Sequence, residues 1–131
     1  MSRYCVIGAG AAGLAALRAL LAAGADVDCF EMSDRVGGHW NTDYDFLHTI
    51  TSRRVTGFAE YPMREDLPLF PSKADMVQYF SDFADAFGLR EHIQFGVGVR
   101  RVDPRLDDSR WCLRGLNRGA GGSWSSGSAG G

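Results

Sequence analysis

The chain has 131 residues, 45% of them hydrophobic and 23% charged, with a formal net charge of −2. That is the size and balance of one ordinary globular domain, with no electrostatic reason to expect nucleic acid or an anionic membrane as partner and no run of about 18 apolar residues to span a bilayer. Three cysteines without a C-x-x-C or a His/Cys cluster give neither a disulfide framework nor a zinc or other metal site; buried free thiols fit better and point weakly to a cytoplasmic setting.

Tyr4-Cys5-Val6-Ile7 reads as a short strand buried on both faces. It runs into G-x-G-x-x-G, formed by Gly8, Ala9, Gly10, Ala11, Ala12 and Gly13. A helix is predicted from Leu14 to Ala23 and closed by Gly24, and Asp26 to Phe30 is a second strand with Glu31 at its tip. Each part has a mechanical reason in a dinucleotide site. Gly8 permits the turn, Gly10 lets the backbone approach a pyrophosphate, and Gly13 lets the helix pack on the strand. The helix N-terminus offers free N–H groups and a positive dipole end. Glu31 lies 18 residues beyond Gly13, close to the ~20 expected of an acid that accepts ribose hydroxyls. A ligand-free βαβ unit and a secretory signal peptide are the bland alternatives. Arg18 and the three glycines break up the apolar core that a signal peptide would need.

Beyond Glu31, the pair Gly37-Gly38 allows close approach to a bulky ligand, and His39 and Trp40 follow it. As local sequence, a glycine turn with Trp40 covering the core explains this stretch equally well. Asn41 to Pro71 shows little periodicity, apart from a possible short strand at Phe46–Ser52, and segments of this kind usually bind something or move. Arg53 and Arg54 read as a solvated pair rather than a phosphate site. Ser72 to Phe87 is a predicted helix with a Ser72/Asp75 capping box. Its core face is Met76, Phe80, Phe83, Ala84 and Phe87, and Gly88 ends it. His92 to Phe95 and Val97 to Val102 are strand-like, 103–108 is a turn, and Ser109 to Leu113 returns. His39, His48 and His92 are scattered, and no side chain stands out as a catalytic acid, base or nucleophile. From Gly115 onward 11 of 17 residues are Gly or Ser, so residues 115–131 are expected to form a flexible tail after a domain of residues 1–114.

With these pieces in place, the chain resembles the N-terminal, FAD-binding part of a flavin-containing monooxygenase, a class B flavoprotein monooxygenase. The resemblance rests on VIGAGAAGLAALRALL, on FEMSDRVGGHW and on the TSRRVTGFAEYPMREDLPLFPS run. It implies an incomplete Rossmann-type α/β domain, with a parallel sheet and a short antiparallel addition near the C-terminus. It also implies bound FAD, reduction by NADPH through a site outside this chain, and oxygenation of soft N or S atoms in a small-molecule substrate. Carried over by position, Gly8 to Gly13 meet the pyrophosphate, Glu31 the ribose, Gly38, His39 and Trp40 flank the cofactor, and Thr51 lies near the flavin. The family's flavin-side asparagine corresponds to Ile50 here. A second dinucleotide fingerprint, the family's F-x-G-x-x-x-H signature and the segment that returns to complete the FAD site do not occur in the sequence. The chain alone is therefore expected to be inactive. The rival readings are a flavin-dependent reductase or oxidase of the two-dinucleotide group, and a non-catalytic nucleotide-binding scaffold.

Overall fold

The computed structural model describes residues 2–117 and 122–130, the last stretch through its backbone. Three strands, β1 (Arg3–Ile7), β2 (Asp26–Glu31) and β3 (Ile93–Phe95), form a parallel sheet in the order β1-β2-β3. Helix α1 (Ala11–Ala22) links β1 to β2. Six alanines and four leucines among its twelve residues favour the helical state with little loss of side-chain freedom. It ends as predicted: Gly24 adopts φ +76, and the Ala25 N–H reaches back to the Leu20 carbonyl at 3.0 Å.

The connection from β2 to β3 carries a 3-10 turn at Gly38–Asn41, the single-turn helix α2 (Arg53–Thr56) and the longer α3 (Lys73–Ala86). The capping box is present on both sides. The Asp75 N–H donates to Ser72 Oγ at 3.2 Å, and the Ser72 N–H to Asp75 Oδ2 at 2.9 Å. On the inner face of α3, Met76, Phe80, Phe83 and Ala84 are buried as expected. Tyr79, absent from the expected core face, is buried with them. Its hydroxyl accepts the Phe58 N–H at 2.7 Å and donates to the Tyr61 carbonyl at 2.6 Å, pinning the irregular 58–61 segment to α3. Tyr79→Phe keeps the ring and removes both bonds. We expect it to cost about 1–3 kcal/mol, the range for leaving a buried polar group unpaired. Urea denaturation measures this, and an unchanged midpoint would show that the hydroxyl does not hold the segment.

Alternation along the strands divides the core in two. Val6, Val27 and Cys29 face α1 and α3, where they meet Leu14, Leu17, Phe80 and Phe83. Cys5 and Phe30 point to the opposite face and pack with Val97, Val99 and Leu113. Those last residues belong to an antiparallel sheet of β4 (Val97–Pro104), β5 (Arg110–Asn117) and β6 (Gly122–Gly130). The fold is thus the expected incomplete Rossmann-type α/β unit with an antiparallel addition.

Three expectations differ in detail. β1 is not buried on both faces: it lies at the edge of the sheet, and Tyr4 and Ile7 are exposed. Phe46–Ser52 is not a strand. One isolated bridge joins His48 to Ser72, flanked by Thr49 N–H to Pro71 O and Lys73 N–H to Leu47 O, which fasten this loop to the start of α3. The expected boundary at 114 falls inside β5, and Gly122–Gly130 pairs along β5 from Asn117↔Gly122 to Arg110↔Gly130. Main-chain groups suffice for that pairing, which is why composition alone suggested a tail. For 118–121 and Gly131 the flexible-tail expectation lies outside the described residues.

Candidate functional site

The carboxyl ends of β1 and β2 meet at the glycine turn, the place where open α/β sheets receive ligands. Gly8 leaves β1 with φ +94, and its N–H donates to the Phe30 carbonyl of β2 at 2.7 Å. The first turn of α1 rests directly on this corner. A Cβ added to Gly13 would stand 1.9 Å from the Gly8 carbonyl oxygen, so only glycine fits there. At the N-terminus of α1, Gly10 provides no side-chain cap, leaving the first-turn N–H groups to other partners. The exposed Ala11 and Ala12 lie in that turn and contribute backbone.

Glu31 is 6% exposed and holds the corner from the side. Its Oε1 accepts the Ala9 N–H at 3.0 Å, and its Oε2 accepts the Ser33 N–H at 2.7 Å. A carboxylate has about four acceptor positions, so each oxygen retains capacity for a ligand hydroxyl. The neighbouring Cys29 thiol donates to the Gly8 carbonyl at 3.5 Å. Burial, aided by Cys5 and Glu31, pushes this thiol up to about 12, which keeps it protonated as a donor. Burial likewise raises Cys5 to about 11. Both are inert packing thiols rather than nucleophiles.

The second glycine segment joins the first. The Gly37 N–H donates to the Ala9 carbonyl at 2.9 Å, and a Cβ on Gly38 would lie 3.1 Å from the Gly10 Cα. Sequence spacing had suggested that this pair approaches a ligand; its observed neighbour is the fingerprint backbone. His39 is exposed, while Trp40 packs against the helix-side core, with the two ring centroids 5.2 Å apart. Thr51 sits elsewhere, its hydroxyl 2.7 Å from that of Thr56. Ile50 beside it is 95% exposed.

A cavity of about 370 Å³ opens at the Glu31 corner, lined by Ile7, Gly8, Phe30 and Glu31 and, across from them, by Met32, Val97 to Arg100 and Leu116. Gly8 and Glu31 are therefore brought together, whereas His39, Trp40 and Thr51 do not line this space. The far wall was missed in the sequence. Val97–Val102 carries a strand pattern and nothing more, and Leu116 falls in the Gly/Ser-rich region. A second cavity of about 450 Å³ lies along α2 and the following segment, with Arg53, Arg54, Phe58, Met63 and Glu65 in its wall. Among the described residues no helix is long and apolar enough to cross a membrane, and no His/Cys/Asp/Glu group is placed to hold a metal ion.

Both the sequence and the fold have counterparts among known proteins. The chain is 35% identical over 117 residues to flavin-containing monooxygenase 5 of Oryctolagus cuniculus, covering 82% of this chain and 22% of that protein. Against flavin-containing monooxygenase 3 of Rattus norvegicus it is 34% identical, again over 82% of this chain and 22% of the relative. Among solved structures, S-allyl-L-cysteine S-oxygenase from Allium sativum superposes with a TM-score of 0.86 at 27% identity, over 96% of this chain and 34% of that one. An oxidized steroid monooxygenase bound to NADP gives 0.83 at 25% identity, over 95% and 24%. The chain thus spans about a fifth of the length of the curated relatives it matches. The family model for flavin-binding monooxygenase-like proteins matches residues 1–113, and the chain belongs to that family.

Proposed function

We propose that this chain is the FAD-binding portion of an NADPH-dependent flavin monooxygenase that oxygenates soft nitrogen or sulfur atoms of small molecules. The observation that carries this reading is the Glu31 carboxylate, buried and bonded to Ala9 within the glycine turn, at the mouth of a cavity between the two sheets. The residues fit an adenine dinucleotide. Gly8 and Gly10 leave the turn without side chains, and open space lies where a Gly8 Cβ would project. The N-terminal N–H groups of α1 face phosphate, and the spare lone pairs of Glu31 accept ribose hydroxyls. The same carboxylate disfavours a ribose 2′-phosphate, which assigns the site to FAD rather than NADP. Met32 and Val97 to Val99 supply apolar walls for the adenine.

Bound FAD, reduced by NADPH, supplies the oxygen activation. The chain's own residues bind and orient: Gly8 to Gly13 and Glu31 fix the nucleotide end, and the backbone at Gly38 holds the turn. In this reading His39, Trp40 and Thr51 extend along the cofactor towards the flavin. Among the described residues none is placed as an acid, base or nucleophile. The single fingerprint is committed to FAD by Glu31, so hydride donor and closed reaction chamber must come from elsewhere. We accordingly assign the chain no turnover by itself.

The test compares NADPH consumption, with added FAD and a generic amine or sulfide, between the 131-residue chain and a version extended with the remaining part of a curated relative. Oxygenated product is expected only from the extended form. Product from the short chain would refute the assignment of inactivity. An extended form that retains FAD but releases only hydrogen peroxide would favour the oxidase reading, in keeping with Ile50 in place of a side-chain amide. Failure to retain FAD would leave the scaffold reading.

A further inference from the structure

The tight turn out of β1 is gripped by three successive residues of β2, each holding a different main-chain group. The Gly8 N–H donates to the Phe30 carbonyl at 2.7 Å. The Gly8 carbonyl accepts the Cys29 thiol at 3.5 Å, and the Ala9 N–H donates to Glu31 Oε1 at 3.0 Å. Cys29 and Glu31 are two positions apart on the strand, so both side chains stand on one face of it. They therefore hold the two ends of a single peptide unit, the one joining Gly8 to Ala9. Among the described residues no other N–H, O–H or S–H donates to the Gly8 oxygen.

A glycine corner needs such a grip. Gly8 sits at φ +94, and no atom lies within 4 Å of the Cβ it lacks, so no side chain of its own fixes the plane of the peptide that follows. Turning that plane over would bring a carbonyl oxygen to the Glu31 carboxylate in place of an N–H. It would also leave the thiol of Cys29, which is 0% exposed, without its acceptor. A phosphate needs N–H groups, not carbonyl oxygens, along the backbone that faces it. Burial keeps the Cys29 thiol protonated, so the donor is present across the ordinary pH range.

We infer that Cys29 is a positioning residue for the dinucleotide: its thiol, working with Glu31, holds the Gly8–Ala9 peptide with the carbonyl turned inward before any ligand arrives. The inference deepens the reading of this corner as an FAD site and rests on it. An S–H···O bond is weak by itself. Here it selects between two orientations of a peptide whose other end Glu31 already holds, so a weak bond suffices to set the balance. The Ala9 carbonyl is held in turn by the Gly37 N–H at 2.9 Å, which fixes the next peptide as well. A turn preset in this way lowers the ordering cost of binding.

The test uses Cys29→Ala, which removes the donor, and Cys29→Ser, which keeps one. In the ¹³C,¹⁵N-labelled 131-residue chain without cofactor, Cys29→Ala should shift the Gly8 carbonyl carbon. It should also speed exchange of the Ala9 amide by about three- to fivefold, what one weak hydrogen bond is worth. In the extended form the same variant should weaken FAD binding by a similar factor. Cys29→Ser should restore all three values, because its hydroxyl donates to the same oxygen. A thiol that merely fills space predicts the reverse order, since a buried hydroxyl is tolerated less well than a methyl group. Serine no better than alanine, or an FAD affinity unchanged by Cys29→Ala, would each overturn the inference. A Raman measurement on the unsubstituted chain needs no variant. Of the three thiols, the one whose S–H band is slowest to exchange in D₂O should have the lowest frequency, and a free-thiol frequency there would also overturn the inference. An extended form that holds no flavin at all refutes the nucleotide reading and the inference with it. Unchanged Gly8 and Ala9 signals beside bound flavin refute the inference alone.

Discussion

Replacing Gly13 with alanine is expected to destabilise the domain by about 3 kcal/mol or more, the upper range for forced overpacking. The added methyl would stand 1.9 Å from the Gly8 carbonyl oxygen and 2.8 Å from the Gly8 carbonyl carbon. Both are main-chain atoms of a corner already fixed by the Gly8 N–H to Phe30 bond, so no side chain can swing aside. Either α1 moves off the sheet, uncovering Leu14 and Leu17, or the turn is distorted. A thermal melt should show a fall of roughly 10 °C or more. Gly24→Ala is the control: its φ is +76, but no atom lies within 4 Å of the added Cβ. That substitution carries only the backbone strain of about 1–2 kcal/mol. Equal melting temperatures for the two variants would show that helix and turn are not locked through Gly13.

The second large effect is expected at Glu31. From sequence its carboxylate had a single task, the ribose; in the fold it also ties Ala9 and Ser33 together. Glu31→Ala leaves two N–H groups without their acceptor at a mostly buried position, at about 1–3 kcal/mol each. On the proposed reading it removes the ribose partner at the same time. In the extended form, flavin retained through gel filtration should fall by at least about tenfold, equivalent to one charge-assisted hydrogen bond. Glu31→Gln separates the two roles. Its amide keeps one acceptor oxygen but turns an NH₂ towards one of the two backbone donors, so stability should be intermediate while flavin retention stays poor. Unchanged flavin content in Glu31→Ala would remove the basis for assigning FAD to this site.

The parts of the site that the sequence revealed are those in which one local constraint decides. Gly13 has no room for a side chain, Gly8 needs φ > 0, and the Ser72/Asp75 box satisfies its own two donors. The core face of α3 followed from periodicity for the same reason. What remained hidden depends on which face of one element meets another. Val97 to Arg100 became a cavity wall only because β4 folds across the β1–β2 ends. Tyr79 looks like a flank residue until its hydroxyl is seen between Phe58 and Tyr61. Arg53 and Arg54 read as a solvated pair, and nothing in their neighbourhood along the chain shows that Glu65 lines the same cavity. Glycine and serine in β6 gave no apolar alternation, so pairing that uses only main-chain groups left no trace in composition.

The strand register also sets how freely this architecture tolerates change. Val6 pairs with Cys29, 23 positions on, whereas Cys29 pairs with Ile93, 64 positions on. Closing the longer span costs only about 1 kcal/mol more than the shorter, because loop entropy grows as the logarithm of length. Insertions or deletions between Asn41 and Pro71 therefore weigh little on the sheet, provided that Tyr79 keeps its hold on the segment. The near wall of the Glu31 corner comes from residues in or just beyond the short span, while the cavity beside α2 is built from the long one. Residues 53–65 can therefore change with little effect on the Glu31 corner, whose lining includes none of them.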